Sequence, residues 1–135
     1  MSDARGAKES SGQRFTRRPD GVIIDHESGL EWLALSSTRN WDELHCEPDV
    51  SLRAEGWRIP KRAELQTLVA GRKNADRRWL DPIFEGVANA SRVWTDDWGD
   101  SQGVVWAFDF ERGKAVEDWT HPTHHLGVFL LRETR

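Results

Sequence analysis

Hydrophobic residues occupy every second position of one segment in the second half of the chain, residues 104–110. The alternating side chains are Val104, Trp106, Phe108 and Phe110. Because successive side chains of a strand point to opposite faces, this pattern predicts a β-strand with one deeply buried face. Shorter apolar segments predict strands at 93–95 and 115–118. The apolar run at 127–132 suits a strand in the middle of a sheet.

The first half of the chain predicts a β-hairpin and a short helix. Apolar segments at 22–24 and 30–32 flank turn-forming residues, which is the pattern of a hairpin. Asn40 is typical of a helix N-cap, and Glu43 lies at the position from which a carboxylate reaches back to the cap amide. Pro48 is expected to end this helix.

A second helix is predicted after a short extended segment. Trp57 and Ile59 alternate with Arg58, which predicts one apolar and one wet face. Pro60 favours an extended residue before it and a helix start after it. The apolar face of that helix is formed by Leu65, Leu68 and Val69. The sum is an α+β fold, with two short helices, small antiparallel β-sheets and long irregular loops.

Composition limits the classes of function. The chain has 135 residues, a net charge of −4 and eight tryptophans. We expect a disordered lead-in at 1–13 and a single domain at 14–135, with an aromatic core. The acidic balance argues against nucleic acid as a partner. No segment is apolar over the length of a membrane span, and we expect no membrane contact and a cytoplasmic location.

Three short motifs, taken in order, resemble those of a bacterial family. They are Gly29-Leu30-Glu31-Trp32, Asn40-Trp41-Asp42-Glu43 and Gly56-Trp57-Arg58-Ile59-Pro60, followed by Glu64-Leu65. Together with Trp94-Thr95 and the segment 106–110, they make the chain similar to the C-terminal domain family of the Lcl collagen-like adhesin.

The resemblance implies a compact C-type lectin-like fold, related to the formylglycine-generating-enzyme-type domains. Members of such families are mostly binding modules, and their irregular loops carry the ligand. By that similarity, ligands are expected at the loops 94–103 and 119–125. One departure concerns Lys61, which stands where a helix-capping Thr or Ser is usual, because an ammonium group cannot accept amide hydrogen bonds.

An acidic cluster and a histidine cluster are candidate metal sites. Asp96, Asp97 and Asp100 cluster near glycines, but three carboxylates fall short of the six to eight oxygens that calcium prefers. His121 and His124 lie close enough in sequence to share a zinc ion, yet no third ligand or second shell is visible. We therefore predict no metal and no cofactor, and interpret these residues as surface groups.

The sequence offers little support for a catalytic site. Cys46 is the single cysteine, which excludes an internal disulfide, and acidic neighbours disfavour its thiolate. Glu47-Pro48-Asp49 resembles the triplet of calcium-dependent lectins, but a helix stop is the simpler interpretation. The sequence assigns no catalytic residue, and the chain is not expected to be an enzyme.

Six of the eight tryptophans divide into two groups. Trp32, Trp41, Trp57 and Trp106 occupy patterned positions and are expected in the core. Trp98 and Trp119 are expected in irregular loops, where an indole either pins its loop to the body or contacts a ligand.

The sequence therefore predicts a non-catalytic recognition module that binds a protein or a glycan. The predicted contact residues are Trp94, Asp96, Asp97, Trp98, Asp100, Trp119 and His121. Two alternatives stay open: a metal-dependent enzyme of the wider superfamily, and an oligomerising structural domain. The sequence leaves the oligomeric state unknown.

Overall fold

The computed structural model of the chain describes residues 14–35, 37–43, 54–87, 91–120 and 124–133. They form two antiparallel sheets, one with the strand order β1-β2-β3-β7 and one with the order β4-β5-β6. The strands are β1 (Phe15–Arg17), β2 (Ile23–Asp25), β3 (Leu30–Ala34), β4 (Arg92–Trp98), β5 (Val104–Asp109), β6 (Lys114–Trp119) and β7 (Phe129–Glu133). The described residues also contain one α-helix, α1 (Arg62–Gln66), and a 3₁₀ turn, Pro82–Phe84.

The predicted hairpin is confirmed as β2 and β3, which pair antiparallel with Ile24 opposite Glu31. Gly29 has a φ of 77°, a conformation that glycine adopts without steric cost, so the turn closes easily. β7 pairs only with β3 among the described strands, and its other edge has a single bridge from Arg58 to Leu131. The apolar run thus lies at the border of its sheet, where the sequence predicted the middle.

The segment before α1 keeps the predicted alternation. Trp57 and Ile59 are buried while Arg58 is exposed, although this segment makes one bridge instead of a full strand. Leu65 and Leu68 carry the buried face of the helical region that follows. The two halves of the element therefore both contribute to the core, as predicted.

The other predicted helix is described only at its start. The Asn40 amide donates to Glu43 Oε1 over 2.8 Å, and the Glu43 amide donates to Asn40 Oδ1 over 2.8 Å. This reciprocal pair is the predicted capping box. Residues 44–53, where the helix body is predicted, lie outside the described residues, as do Cys46 and the Glu47-Pro48-Asp49 triplet. Within the described residues the fold is small antiparallel sheets with little helix, and one α-helix where two were predicted.

Two aromatic clusters lie on opposite sides of β5. In one cluster, Phe84 stacks on Phe129 with ring centroids 5.5 Å apart, and Phe108 is packed nearby. In the other, Trp41 meets Trp94 edge to face at 5.3 Å, beside Val105, Ala107 and Trp57. Burial on both faces of β5 corrects the prediction of a strand with one buried face. Among the described residues, none of the helices has the length and hydropathy needed to span a membrane.

Candidate functional site at one end of the three-stranded sheet

β4 runs further than the sequence predicted. Asp96, Asp97 and Trp98 were expected in an irregular loop, but they form the last part of this strand. The register with β5 shifts between the pair Trp94–Ala107 and the pair Trp98–Val105. Such a bulge inserts extra residues into one strand and turns it sharply. The connection to β5 is therefore shorter than the predicted loop and spans residues 99–103.

Thr95 stabilises the bulge. Its buried hydroxyl donates to the Trp106 carbonyl over 2.5 Å and accepts from the Asp97 amide at 3.1 Å. The hydroxyl replaces the backbone partners that the shifted register removes, so the buried polar groups of this region stay paired.

The two acids after Thr95 tie β4 to the start of α1. Asp97 Oδ2 accepts from the Arg62 amide at 2.6 Å, which supplies the cap that Lys61 cannot provide. Lys61 Nζ donates to the Asp96 carbonyl over 2.9 Å and lies 3.7 Å from the Asp96 carboxylate. Both acids thus serve an internal contact, and of the three predicted acidic contacts Asp100 is the one on the exposed connection.

Glu64 completes the start of this helix. It accepts from the Lys61 amide at 2.8 Å and from Arg58 Nη2 at 2.6 Å. Burial raises the pKa of Glu64, but the hydrogen bonds from Arg58 and the Lys61 amide outweigh burial, and the pKa falls below its usual value. The carboxylate therefore stays ionised and holds the extended segment to the helix.

Two tryptophans stand out by their exposure. Trp98 is 60% exposed and Trp119 is 62% exposed, and they are the exposed large hydrophobic residues of the described chain. Trp98 meets Trp41 edge to face, with ring centroids 5.3 Å apart. The Trp98 indole is thus supported by a core residue on one side, while most of its surface faces solvent.

Trp98 and Trp119 lie at the same end of the sheet but on opposite faces. Trp98 lies opposite Val105, whereas Trp119 lies opposite the next residue, Val104. Residues directly opposite share a face and adjacent residues do not. Trp119 also ends β6 instead of lying in a loop. The two indoles therefore present two surfaces and not one flat platform.

Other predicted contacts lie elsewhere. Trp94 is 0% exposed, and its Nε1 donates to the Arg39 carbonyl over 2.8 Å, so it belongs to the core. His121 lies outside the described residues. His124 packs against the Asp118 carboxylate, and the His125 ring lies 3.8 Å from Glu43. Within the described ranges, His, Cys, Asp and Glu side chains form no group of three or more that could hold a metal ion.

Trp106 was expected in the core, but it is only partly buried. The Arg62 guanidinium lies over its ring, 4.1 Å from the centroid, and the same guanidinium is 3.9 Å from Asp97. This cation–π contact covers a ring that the strand leaves at the surface. The period-two pattern carries no signal for it, because Arg62 is distant in sequence.

Arg92 also has a structural role that no sequence pattern predicts. Its guanidinium donates to Asp109 and to Asp118, each over 3.0 Å, and these carboxylates are only 5% and 4% exposed. Buried charges of this kind are tolerated because they are paired. Arg92 also borders a cleft of about 270 Å³ with Arg78, Ser91 and His125. Arg92 is already neutralised by two carboxylates, so the positive charge at the cleft comes chiefly from Arg78, which donates to the Val87 carbonyl over 3.0 Å.

At this end of the sheet the two indoles, Asp96 and residues 100–102 of the connection are exposed to solvent. Comparison with the models of known protein families and with curated proteins finds no match to this chain.

Proposed function

We propose that this domain is a non-catalytic binding module that recognises a protein or glycan partner through the end of the three-stranded sheet. Trp98 is the principal contact. The observation that carries the proposal is its 60% exposure, on the same strand as the fully buried Trp94. Exposing a large apolar side chain to water is unfavourable, and tryptophans on such surfaces are frequent anchors of interfaces.

The environment of Trp98 suits an anchor residue. Its edge contact with Trp41 fixes the indole against a buried ring, so little rotamer freedom is lost on binding. An indole offers a flat apolar face together with one hydrogen-bond donor, which serves both peptide side chains and sugar rings. Binding to Trp98 therefore requires little rearrangement of the domain.

Charge favours a basic or neutral polar partner. Asp100 on the connection is exposed, and so are Asp42 and Glu43, which follow Trp41. The chain as a whole has a net charge of −4. Asp96 and Asp97 contribute less to selectivity than the sequence suggested, because they contact Lys61 and the amide of Arg62.

The proposal extends to the fold. A compact C-type lectin-like domain binds ligands through the segments between its short antiparallel strands. The connection 99–103 occupies such a position. The small sheets, the capped start at Asn40 and the short α1 are compatible with this arrangement.

The test is a comparison of the Trp98→Ala variant with the unaltered chain. Immobilised protein captures partners from a lysate, and the soluble protein is applied to a glycan array. The dissociation constant of each ligand found in this way is then measured. We expect Trp98→Ala to weaken binding by about tenfold or more, as for an anchor residue.

The matched control is Lys73→Ala, because Lys73 is an exposed residue that lies over Trp79, distant in sequence from Trp98. Trp98→Ala is expected to lower the free energy of unfolding by about 1 kcal/mol through the lost edge contact with Trp41. Unchanged affinity in Trp98→Ala contradicts the proposal. Collapse of thermal stability in this variant would assign Trp98 to the core instead.

A further inference from the structure

The outer edge of β6 is open in the described part of the chain. Two other sheet edges are covered: the Trp94 amide donates to the Gly127 carbonyl at 3.1 Å, and Arg58 bridges to Leu131 beside β7. The remaining edge strand, β1, has only three residues. β6 is six residues long, and among the described strands only β5 pairs with it. Unpaired edges of this length offer a row of backbone donors and acceptors to another strand.

The register with β5 shows which backbone groups point outward. The Thr120 amide donates to the Gly103 carbonyl over 3.0 Å, so Thr120 and every second residue before it face β5. The amides and carbonyls of Ala115 and Glu117 therefore point away from the sheet. Trp119 also points outward, but its amide donates to its neighbour Asp118 over 2.9 Å.

We propose that β6 pairs antiparallel with β6 of a second copy of this chain, which joins two three-stranded sheets into one continuous sheet across a twofold axis. Backbone pairing of this kind is the same interaction by which extended peptides add to an open sheet edge. A twofold axis makes the contact self-complementary and closed.

One register satisfies both the hydrogen bonds and the charges. With Val116 opposite the partner's Val116, Ala115 lies opposite the partner's Glu117, and these outward residues exchange backbone hydrogen bonds. The same register places the exposed Lys114 opposite the partner's Asp118. Opposite charges across antiparallel strands are favourable. Centring the axis on Glu117 instead would place two carboxylates face to face.

The charge pattern favours a second copy over an unrelated peptide. β6 begins with a lysine and has an aspartate at its fifth position. In an antiparallel pair centred on Val116, the lysine of each copy therefore lies opposite the aspartate of the other. Asp118 is already held by Arg92 and His124, so the partner's Lys114 adds a further cation at the rim of this buried carboxylate.

Trp119 gains a contact in the same register. It lies opposite the partner's Gly113, a position without a side chain, where an added Cβ would lie 3.2 Å from Trp79. The exposed indole thus reaches a glycine bordered by another indole. Aromatic pairs contribute to association beyond their buried area.

The experiment uses the full chain in light scattering coupled to size exclusion, from about 10 µM to about 1 mM. We expect the unaltered chain, with a monomer mass of 15.5 kDa, to reach twice that mass as concentration rises. Glu117→Pro removes an outward amide without touching the ladder to β5 and should remain monomeric. The matched control Glu117→Ala keeps the amide and should still dimerise.

Two further measurements guard against a folding defect and a different interface. Lys114→Glu alters only an exposed side chain and should weaken dimerisation by about tenfold through charge repulsion. Hydrogen exchange should slow at the amides of Ala115 and Glu117 only at concentrations where the dimer forms. A monomer over the whole range, or a dimer that persists in Glu117→Pro, overturns the proposal. Trp98→Ala should dimerise normally, which separates this test from that of partner binding.

Discussion

The two halves of β4 have opposite environments. Val93, Trp94 and Thr95 are fully buried, whereas Asp96 and Trp98 are exposed. The register shift between Trp94 and Trp98 marks the change from interior to surface. The comparison teaches that tryptophans four residues apart on one strand differ in role, since the first fills the core and the second is offered to solvent.

The largest expected effect concerns the buried half. Replacing Trp94 by alanine removes an indole that is 0% exposed and a hydrogen bond to the Arg39 carbonyl. We expect the free energy of unfolding to fall by about 3–5 kcal/mol. Chemical denaturation of Trp94→Ala and of Trp98→Ala measures the difference, and equal losses in the two variants would remove the distinction between the halves of β4.

A second variant tests the first residue of the strand. Arg92→Leu leaves Asp109 and Asp118 without their shared guanidinium, and both carboxylates are buried. Arg112 still lies 3.8 Å from Asp109, and His124 still contacts Asp118. The buried carboxylates therefore lose only part of their pairing, and we expect the free energy of unfolding to fall by about 2 kcal/mol in thermal or chemical denaturation. Arg92→Lys is the control, and it should recover only part of the loss because an ammonium group lacks the guanidinium fork.

Asp97→Ala tests the tie between β4 and α1. The variant loses the acceptor for the Arg62 amide, and we expect a loss of about 1 kcal/mol in the free energy of unfolding, as for an N-cap. Asp97→Asn keeps an oxygen acceptor and should lose less. If Asp97→Ala left the free energy of unfolding unchanged, water would be as good a cap for this helix as the carboxylate.

The smallest effect is expected one residue earlier. The Asp96 carboxylate is exposed and lies 3.7 Å from Lys61 Nζ, and its neighbouring contact to Lys61 uses the backbone carbonyl. Asp96→Ala should change the free energy of unfolding by less than about 0.5 kcal/mol. Denaturation of this variant beside Asp97→Ala shows whether adjacent acids of similar sequence context differ as the contacts indicate.

Sequence patterns predicted the local elements well. Alternation located the β2–β3 hairpin and β5, and the Asn40–Glu43 spacing predicted the capping box, because each depends on residues close together in the chain. The site was harder to predict. The bulge in β4 leaves no mark on the apolar pattern, so Trp98 was expected in a loop.

Long-range contacts explain the remaining misses. Asp97 caps a helix that begins 35 residues earlier, and Arg62 covers Trp106 from the same helix. Neither pairing follows from spacing or composition, because tertiary packing decides which charges meet. The burial of Trp94 has the same origin, since Trp41 and the Arg39 carbonyl reach it from another part of the chain.

Asp97 stabilises the start of α1 from a distant strand. Two positions in the sequence, 61 and 97, can therefore contribute to capping this helix. A serine or threonine at position 61 would accept from the amide of residue 63 or 64, whereas Asp97 accepts from the amide of Arg62, the first residue of the helix. Positions 61 and 97 can therefore both stabilise the first turn, each through a different amide. A lysine at the first position is tolerable here because an aspartate occupies the second.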